Sequence, residues 1–347
     1  MGICISSESS AIHGAPEEAR DENVLVFEAT KLLRGLSSAY SKQGTKGLNQ
    51  DAATLCQVYG TTNAAFCGVF DGHGRNGHIV SKIVNSRLCS FIVDQKKVHA
   101  KIEKKIMVRH AETVEDDSQA LLNKNFQEWK EAIVDGFRVM DKEVKLQENL
   151  DCSCSGTTAV VVIRQGEDLV IANLGDSRAI LGTISDGEIM AIQLTTDMKP
   201  GLPCEAARIK SCNGRVFALK EEPHIQRVWL PDENSPGLAM SRAFGDFMLK
   251  DHGIIAIPDI SHRTLTSSDQ FIVLASDGVW DVLSNEEVSS IVWEADTENE
   301  AARAVVEAAA LAWKSKYPSS KLDDCTAVCL FLQKKPQFLP VKCGNPS

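Results

Sequence analysis

Residues 66–74 read FCGVFDGHG, an apolar run that ends in an aspartate, a glycine, a histidine and a second glycine. The run predicts a buried strand that stops at Asp71 and turns sharply, and the glycines permit the turn. Asp71 and His73 are left at the strand's end, where a carboxylate offers hard oxygen to Mg²⁺ or Mn²⁺ and a histidine moves protons near neutral pH. Taken alone, these residues also fit an ordinary Asp-Gly turn with a surface histidine.

The composition is that of a globular chain with a large core, since 43% of the 347 residues are hydrophobic and 24% are charged. The net charge of −10 argues against nucleic acid as a partner and suits a protein that holds cations. The eleven cysteines do not form a disulfide framework, and Cys152 and Cys154 lack a matching pair for zinc. We therefore expect an intracellular, reduced protein without a membrane span.

The N-terminus reads MGICIS, which fits the pattern for myristoylation of Gly2, with Ser6 at the required position. Cys4 is placed to take palmitate, and two acyl chains anchor a protein stably where one is marginal. We expect lipidation at Gly2 and Cys4, a flexible leader over 1–35, and localisation to the cytoplasmic face of the plasma membrane and the cytoplasm, with the nucleus left open. An untethered tail is the alternative.

Pattern and turn residues predict the surrounding elements. A strand after Asp51 forms a hairpin with the strand that ends at Asp71, which brings Gln50 and Asp51 to the same end. Lys46 then lies near enough to meet an anion. Apolar residues at helical spacing predict helices from Ile79 to Phe91 and from Leu122 to Val144.

Three segments lack such patterns. Residues 96–118 are mixed in charge and predict an exposed insertion. Residues 194–250 are punctuated by prolines and predict an irregular flap over the sheet edge, where substrate contacts often lie. The tail 334–347 is polar and is predicted to be disordered.

Three further strands carry an aspartate at one end, with Asp176 and Asp277 following their strands and Asp323 preceding the last strand. Converging carboxylates are unfavourable without a compensating cation, and a pair of Mg²⁺ or Mn²⁺ ions would supply one. Two such ions can share a water, lower its pKa and present hydroxide to phosphorus, while His73 protonates the leaving oxygen. Asp176 alone also fits a tight turn whose charge Arg178 neutralises.

The motifs together resemble those of the metal-dependent type 2C protein serine/threonine phosphatases, and more narrowly the plant members with an acylatable N-terminus. They are NQD at 49–51, VFDGHG at 69–74, SGTT at 155–158, GDSR at 175–178, SDGVWD at 276–281 and DD at 323–324. The resemblance covers roughly residues 36–332. It implies an α+β fold, a four-layer α-β-β-α sandwich of two mainly antiparallel sheets flanked by helix pairs, in a single phosphatase domain over 36–333.

The resemblance also implies a role for each site residue and two bound Mg²⁺ or Mn²⁺ ions, with a weaker third. The implied mechanism is direct attack of a bridging metal-bound hydroxide on phosphoserine or phosphothreonine. The implied substrates are phosphoproteins such as kinases. The protein is accordingly expected to be a monomeric hydrolase that acts in signalling. By this resemblance, Asp71 would bridge both metals, the Gly72 carbonyl would bind one of them, and Asp277 and Asp323 would bind the other. Asp51 would contact a metal through water, and Asp176 with Asp281 would bind the third. Lys46 would bind the phosphate, and His73 would be the general acid.

Two positions depart from the commonest pattern of that family. Gln50 stands where a glutamate often binds metal, and Lys46 stands where an arginine often grips phosphate with two-pronged geometry. We expect reduced but real activity. Two alternatives stay open: a membrane-tethered pseudophosphatase that binds or inhibits kinases, and a metal-dependent hydrolase of small phosphates.

Overall fold

The computed structural model describes residues 24–26, 36–57, 64–107 and 118–334. Gly2, Cys4, most of the predicted leader and the tail beyond residue 334 lie outside the described residues.

Strands and helices alternate in blocks along the described chain. The strands are β1 (Val24–Val26), β2 (Ser37–Lys42), β3 (Ala52–Gln57), β4 (Ala64–Phe70), β5 (Gly72–His73), β6 (Gly156–Thr157), β7 (Ala159–Gln165), β8 (Asp168–Leu174), β9 (Arg178–Ser185), β10 (Glu188–Gln193), β11 (Arg215–Ala218), β12 (Gln226–Trp229), β13 (Pro236–Leu238), β14 (Phe244–Gly245), β15 (Asp259–Thr264), β16 (Asp269–Ala275) and β17 (Cys325–Phe331). The helices are α1 (Gly77–Met107), α2 (Ser118–Lys145), α3 (Pro203–Ser211), α4 (Phe247–Lys250), α5 (Asp277–Trp280), α6 (Asn285–Glu294) and α7 (Ala301–Lys316).

Two large sheets form the centre. One has the strand order β1-β3-β4-β7-β8-β15 and the other β10-β9-β16-β17-β2. The pairs are antiparallel apart from β1 with β3. Among them is the predicted hairpin, in which Ala52 of β3 lies opposite Phe70 of β4.

The core divides the molecule into four layers. On β4, Phe66 and Phe70 pack on the side of α1 and α2, whereas Cys67 and Val69 pack against the second sheet. The second sheet packs its other face on α6 and α7, where Phe271 lies in the core. Strands buried on both faces read as continuous apolar runs, which explains the run before Asp71. The four-layer α+β sandwich is therefore confirmed.

The expected insertion at 96–118 was wrong for its first part, because α1 continues to Met107. Polar contacts with α2 hold this end of the helix. The Lys96 ammonium lies 4.0 Å from the centre of the Trp129 ring and 3.5 Å from a Glu128 oxygen, and His99 Nε2 lies 3.1 Å from Asp135 Oδ2. Contacts of this kind leave no apolar periodicity in the sequence.

The segment 194–250 is more regular than the expected irregular flap. It contains α3 and the small sheet β11-β12-β13. Residues including Ile209, Val228 and Leu249 form a separate apolar cluster beneath it. A proline is compatible with this sheet because Pro236 is the first residue of β13, an edge strand.

The N-terminus of α6 carries the capping box that the sequence pattern predicts. Glu287 N donates to Ser284 Oγ at 3.2 Å, and Ser284 N donates to Glu287 Oε2 at 2.7 Å. Each bond satisfies a backbone N–H that the first helical turn leaves without a partner.

We expect Ser284→Ala to lower the free energy of unfolding by about 1 kcal/mol, because one of these N–H groups loses its acceptor. Denaturant titration followed by circular dichroism would measure the change. Ser290→Ala, inside the same helix, is the matched control and should change stability by less than about 0.5 kcal/mol. Equal losses in the two variants would contradict a capping role.

Candidate active site

The β3–β4 hairpin places Asp51 and Asp71 at the same end of the first sheet. The register that pairs Ala52 with Phe70 sets these two residues just beyond the last pair. Gly72 N donates to Gln50 O at 3.2 Å. A Cβ at Gly72 would lie 2.5 Å from Gly77 O and 2.6 Å from Gln50 O, so the turn after Asp71 requires a residue without a side chain.

The second sheet brings its aspartates to the same place. Ala275, at the end of β16, pairs with Ala327 of β17 and with Arg178 of β9. Asp277, Asp323 and Asp176 lie just beyond these three strand ends. The electrostatic environment of Asp71 includes all three of their charges, so the predicted strand-end aspartates do converge.

A hydrogen bond joins the two sheets at this end. Ser276 Oγ donates to Asp51 Oδ2 at 2.7 Å, and Thr326 N donates to Ser276 Oγ at 3.1 Å. Asp51 is 1% exposed. The position of Asp51, the first residue before β3, is therefore fixed by the residue that follows β16.

The convergence is electrostatically costly. Burial, followed by the charges of Asp277 and Asp51, holds the pKa of Asp71 well above its usual range. Burial and the charges of Asp176 and Asp323 do the same to the pKa of Asp277. Burial raises the pKa of Asp51 to about 7, against the lowering effect of the Ser276 hydrogen bond. Positive charge at this point would stabilise the carboxylates.

Two lysines supply positive charge at the edges of the cluster. Lys46 Nζ pairs with Asp323 Oδ2 and Lys199 Nζ pairs with Asp176 Oδ2. Burial lowers the pKa of Lys199, but the charges of Asp176 and Asp277 outweigh it and raise the pKa. Asp176 Oδ1 is buried and has no hydrogen-bond partner among the described residues.

The donor set fits a hard divalent cation. The side chains that converge are carboxylates, and ammonium groups already take cationic positions on two of them. In the described part of the chain, no group of three or more His, Cys, Asp or Glu side chains is arranged to hold a metal ion. Lys46 on Asp323 and Lys199 on Asp176 occupy positions that a metal ion would take from them. Asp281 lies one turn after Asp277, is exposed, and adds its charge to the same cluster.

His73 pairs with a buried carboxylate. In the short sheet β14-β6-β5, His73 and Gly245 pair with Gly156 from either side, and His73 Nε2 lies 2.6 Å from Asp246 Oδ2. A Cβ at Gly156 would lie 2.9 Å from His73 Nε2 and would press on Asp246 Oδ2, so glycine is required there. Burial lowers the pKa of His73, but the Asp246 charge and hydrogen bond raise it overall.

The loop that carries Lys46 and Gln50 is tied to the last strand. Asp324 Oδ1 and Oδ2 accept hydrogen bonds from Gly44 N and Gln50 N, both at 2.8 Å. Gln50 Nε2 donates to Gly74 O at 2.9 Å. The two aspartates at 323–324 thus have different partners: Asp323 pairs with the Lys46 ammonium, and Asp324 accepts hydrogen bonds from the backbone of the loop.

Sequence reasoning gave no role to Lys199, Asp246 or Asp324, although the last two lie in stretches that it singled out. Their partners are distant along the chain, and no spacing rule links them. The alternative in which Arg178 neutralises Asp176 in a tight turn was wrong. Arg178 makes a two-pronged pair with Asp197, at 3.0 and 2.6 Å, and Lys199 takes its place on Asp176.

Comparison with known proteins places this site in a family. The model described as protein phosphatase 2C matches residues 38–315. The chain is 51% identical over 347 residues to "Probable protein phosphatase 2C 72" of Arabidopsis thaliana, which covers 97% of this chain and 99% of the relative. It is 47% identical over 356 residues to "Probable protein phosphatase 2C 12" of Oryza sativa, covering 96% and 92%.

A solved structure agrees. The crystal structure of serine-threonine phosphatase 2C from Toxoplasma gondii superposes with a TM-score of 0.71 at 26% identity, covering 85% of this chain and 94% of that one. The chain belongs to the protein phosphatase 2C family, and by that membership it is a protein phosphatase similar to plant members.

We expect Asp246→Asn to lower the pKa of His73, because the carboxylate charge that raises it is removed while burial remains. Asp246 has φ +50°, a conformation that asparagine also tolerates. Because the pKa of His73 is higher in the folded state than in the unfolded state, protonation of His73 stabilises the fold. This stabilisation is complete below the pKa of the unfolded state and is lost as the pH rises through the pKa of the folded state. The variant should therefore also lose this pH dependence of stability. NMR titration of the imidazole would measure the pKa.

Asp251→Asn is the control, since Asp251 is exposed and lies in the same segment. It should leave the His73 titration unchanged. An unchanged midpoint in Asp246→Asn would show that the carboxylate does not set the pKa.

Proposed function

We propose that the protein is a metal-dependent hydrolase of phosphoserine and phosphothreonine in proteins. The observation that carries the proposal is the convergence of strand-end aspartates from both sheets, with raised pKa values at Asp71 and Asp277, beside the His73–Asp246 pair. Family membership supports the same reading. We infer further that residues 36–333 act as one domain and that the protein works as a monomer.

Two Mg²⁺ or Mn²⁺ ions fit the proposal. Asp71, with the Gly72 carbonyl, and Asp277, with Asp323, are the residues that would hold them, and Asp51 would contact them through water. Asp176 with Asp281 would hold a weaker third. The chemistry that such ions supply is a lowered pKa of bound water and neutralisation of phosphate charge.

The side chains of this chain position the phosphate and the proton. Lys46 has 52% of its side chain exposed and is placed to leave Asp323 for a substrate phosphate. His73 Nε2 is held by Asp246, which leaves Nδ1, buried and without a hydrogen-bond partner among the described residues, as the nitrogen that would give a proton to a leaving oxygen. The raised pKa of His73 keeps it protonated to higher pH, as a general acid requires.

We expect Gln50 and Lys46, which depart from the usual pattern of the family, to reduce the activity of this site without abolishing it. Gln50 Nε2 donates to Gly74 O, and this neutral amide lies where a charged ligand is common in the family. The pseudophosphatase alternative is not favoured, because Asp71, His73, Asp277 and Asp323 are all present and lie together. The small-phosphate hydrolase remains an outcome of the test.

The test is release of phosphate from a phosphothreonine peptide by the full chain with millimolar Mn²⁺. We expect Asp71→Asn and Asp277→Asn each to lower kcat/KM by more than about 100-fold, because each removes a carboxylate from the metal set. Chelation with EDTA should abolish release, and a phosphotyrosine peptide should react poorly.

Asp186→Asn is the matched control, since this exposed turn residue with φ +52° tolerates asparagine and lies away from the cluster. It should keep full activity. No release by the folded wild type would refute catalysis and favour the pseudophosphatase, whereas turnover of p-nitrophenyl phosphate alone would favour a small-phosphate hydrolase.

We propose that Gly2 and Cys4 carry acyl chains that hold the enzyme on the cytoplasmic face of the plasma membrane, near phosphoprotein substrates. The support is the sequence MGICIS. Among the described residues, no helix is long and apolar enough to cross a membrane.

We expect Gly2→Ala to move the protein from the membrane to the soluble fraction, because palmitate on Cys4 alone would bind only marginally. Fractionation of cells that express tagged full-length protein would measure the partition. Ser10→Ala, beyond the motif, is the control and should leave the partition unchanged. Persistent membrane binding of Gly2→Ala would rule out the anchor at Gly2.

A further inference from the structure

Two cysteines meet where helix α1 crosses strand β3. Cys56 Sγ and Cys89 Sγ lie 3.6 Å apart, in van der Waals contact. Cys56 is 8% exposed and Cys89 is partly exposed, and both are free thiols. We propose that Cys56 and Cys89 form a reversible disulfide under peroxide, a modification site that fastens α1 to the first sheet.

The geometry selects this pair. Cys56 lies on the face of the first sheet that packs against α1, whereas Cys67, on the neighbouring strand, lies on the opposite face between the two sheets. The sulfurs need to approach by about 1.5 Å to reach bonding distance. Side-chain rotation at Cys89, which is partly exposed, would supply a shift of this size.

The pair is the last step of a regular line of contacts between α1 and the strand. Ser81 Oγ donates to Gln50 O at 2.6 Å, and Asn85 Nδ2 donates to Ala53 O at 3.2 Å. Cys89 follows at the same four-residue interval on α1 and meets Cys56. The backbone around the two thiols is therefore held in register before any bond forms.

The chemistry balances with hydrogen peroxide as the oxidant. The contact with the Cys89 thiol lowers the pKa of Cys56, which makes Cys56 the better source of thiolate. The Cys56 thiolate attacks peroxide, the O–O bond breaks, and a sulfenic acid and hydroxide form, the latter taking up the released proton as water. The Cys89 sulfur then attacks the sulfenic sulfur and expels a second water. Two thiols are oxidised, one peroxide is reduced, and a thiol reductant reverses the bond.

A bond at this position would act on the site through the same line of contacts. The Gln50 carbonyl oxygen that accepts a hydrogen bond from Ser81 Oγ also accepts one from Gly72 N, and Gly72 directly follows Asp71. Fixing the far end of the line restrains α1 relative to β3.

The experiment oxidises the folded full chain with hydrogen peroxide, blocks free thiols and digests with trypsin without reductant. We expect the peptide Gly47–Arg75 to be linked to Leu88–Lys96, with the link surviving in Cys67→Ala and absent in Cys89→Ala. Fragmentation of the wild-type pair assigns the link to Cys56 over Cys67 even if Cys67→Ala folds poorly. Oxidation should raise Tm by about 5 °C, reversibly with dithiothreitol, because the bond closes a loop of about 33 residues.

Exposed Cys204 is the internal standard for oxidant exposure. Oxidised Cys204 without the Cys56–Cys89 link would overturn the proposal. A link that leaves Tm unchanged would overturn the fastening of α1, and so would an equal rise in Tm in Cys89→Ala.

Discussion

Mutual repulsion between carboxylates is the constraint on which the rest of this structure depends. The strands of both sheets end at the same place, and their aspartates are buried together, so burial and neighbouring charge raise the pKa of Asp71 and Asp277. Such an arrangement persists only if the scaffold on either side holds it. The buried apolar strands supply that scaffold, since each is packed on both faces.

The polar contacts around the cluster hold backbone as well as charge. Thr158 N donates to Asp71 O at 2.9 Å, and Asp71 N donates to Thr158 Oγ1 at 3.0 Å. Ser276 fixes Asp51 and Asp324 fixes the loop of Gln50. The residues beside the aspartates are thus held in place by hydrogen bonds in the same way as the aspartates. This explains why each motif is a stretch of several residues and not a single aspartate.

Local patterns in the sequence predicted individual strands, one hairpin and the aspartates at strand ends, whereas the stacking of two sheets was implied by the family resemblance. The sequence shows an apolar stretch followed by Asp-Gly at Asp71 and again at Asp277, and this pattern predicts a strand that is buried on both faces. The end of α1 was not predicted, because Lys96 and His99 are held by polar groups of α2. Asp246 and Lys199 were not assigned for a related reason, since each acquires its role from a partner far along the chain.

The same distinction explains the most informative disagreement between sequence and structure. Proximity in sequence suggested that Arg178 neutralises Asp176, but the side chain of Arg178 leads to Asp197, where a planar guanidinium meets both carboxylate oxygens. Lys199 instead approaches Asp176 as a single point charge, with 42% of its side chain exposed. A two-pronged arginine would hold Asp176 firmly, whereas a lysine on a flexible stem gives it up more readily. In the proposed metal-dependent reaction, Asp176 and Asp323 would therefore exchange their lysines for another cation more readily than a two-pronged arginine pair would allow.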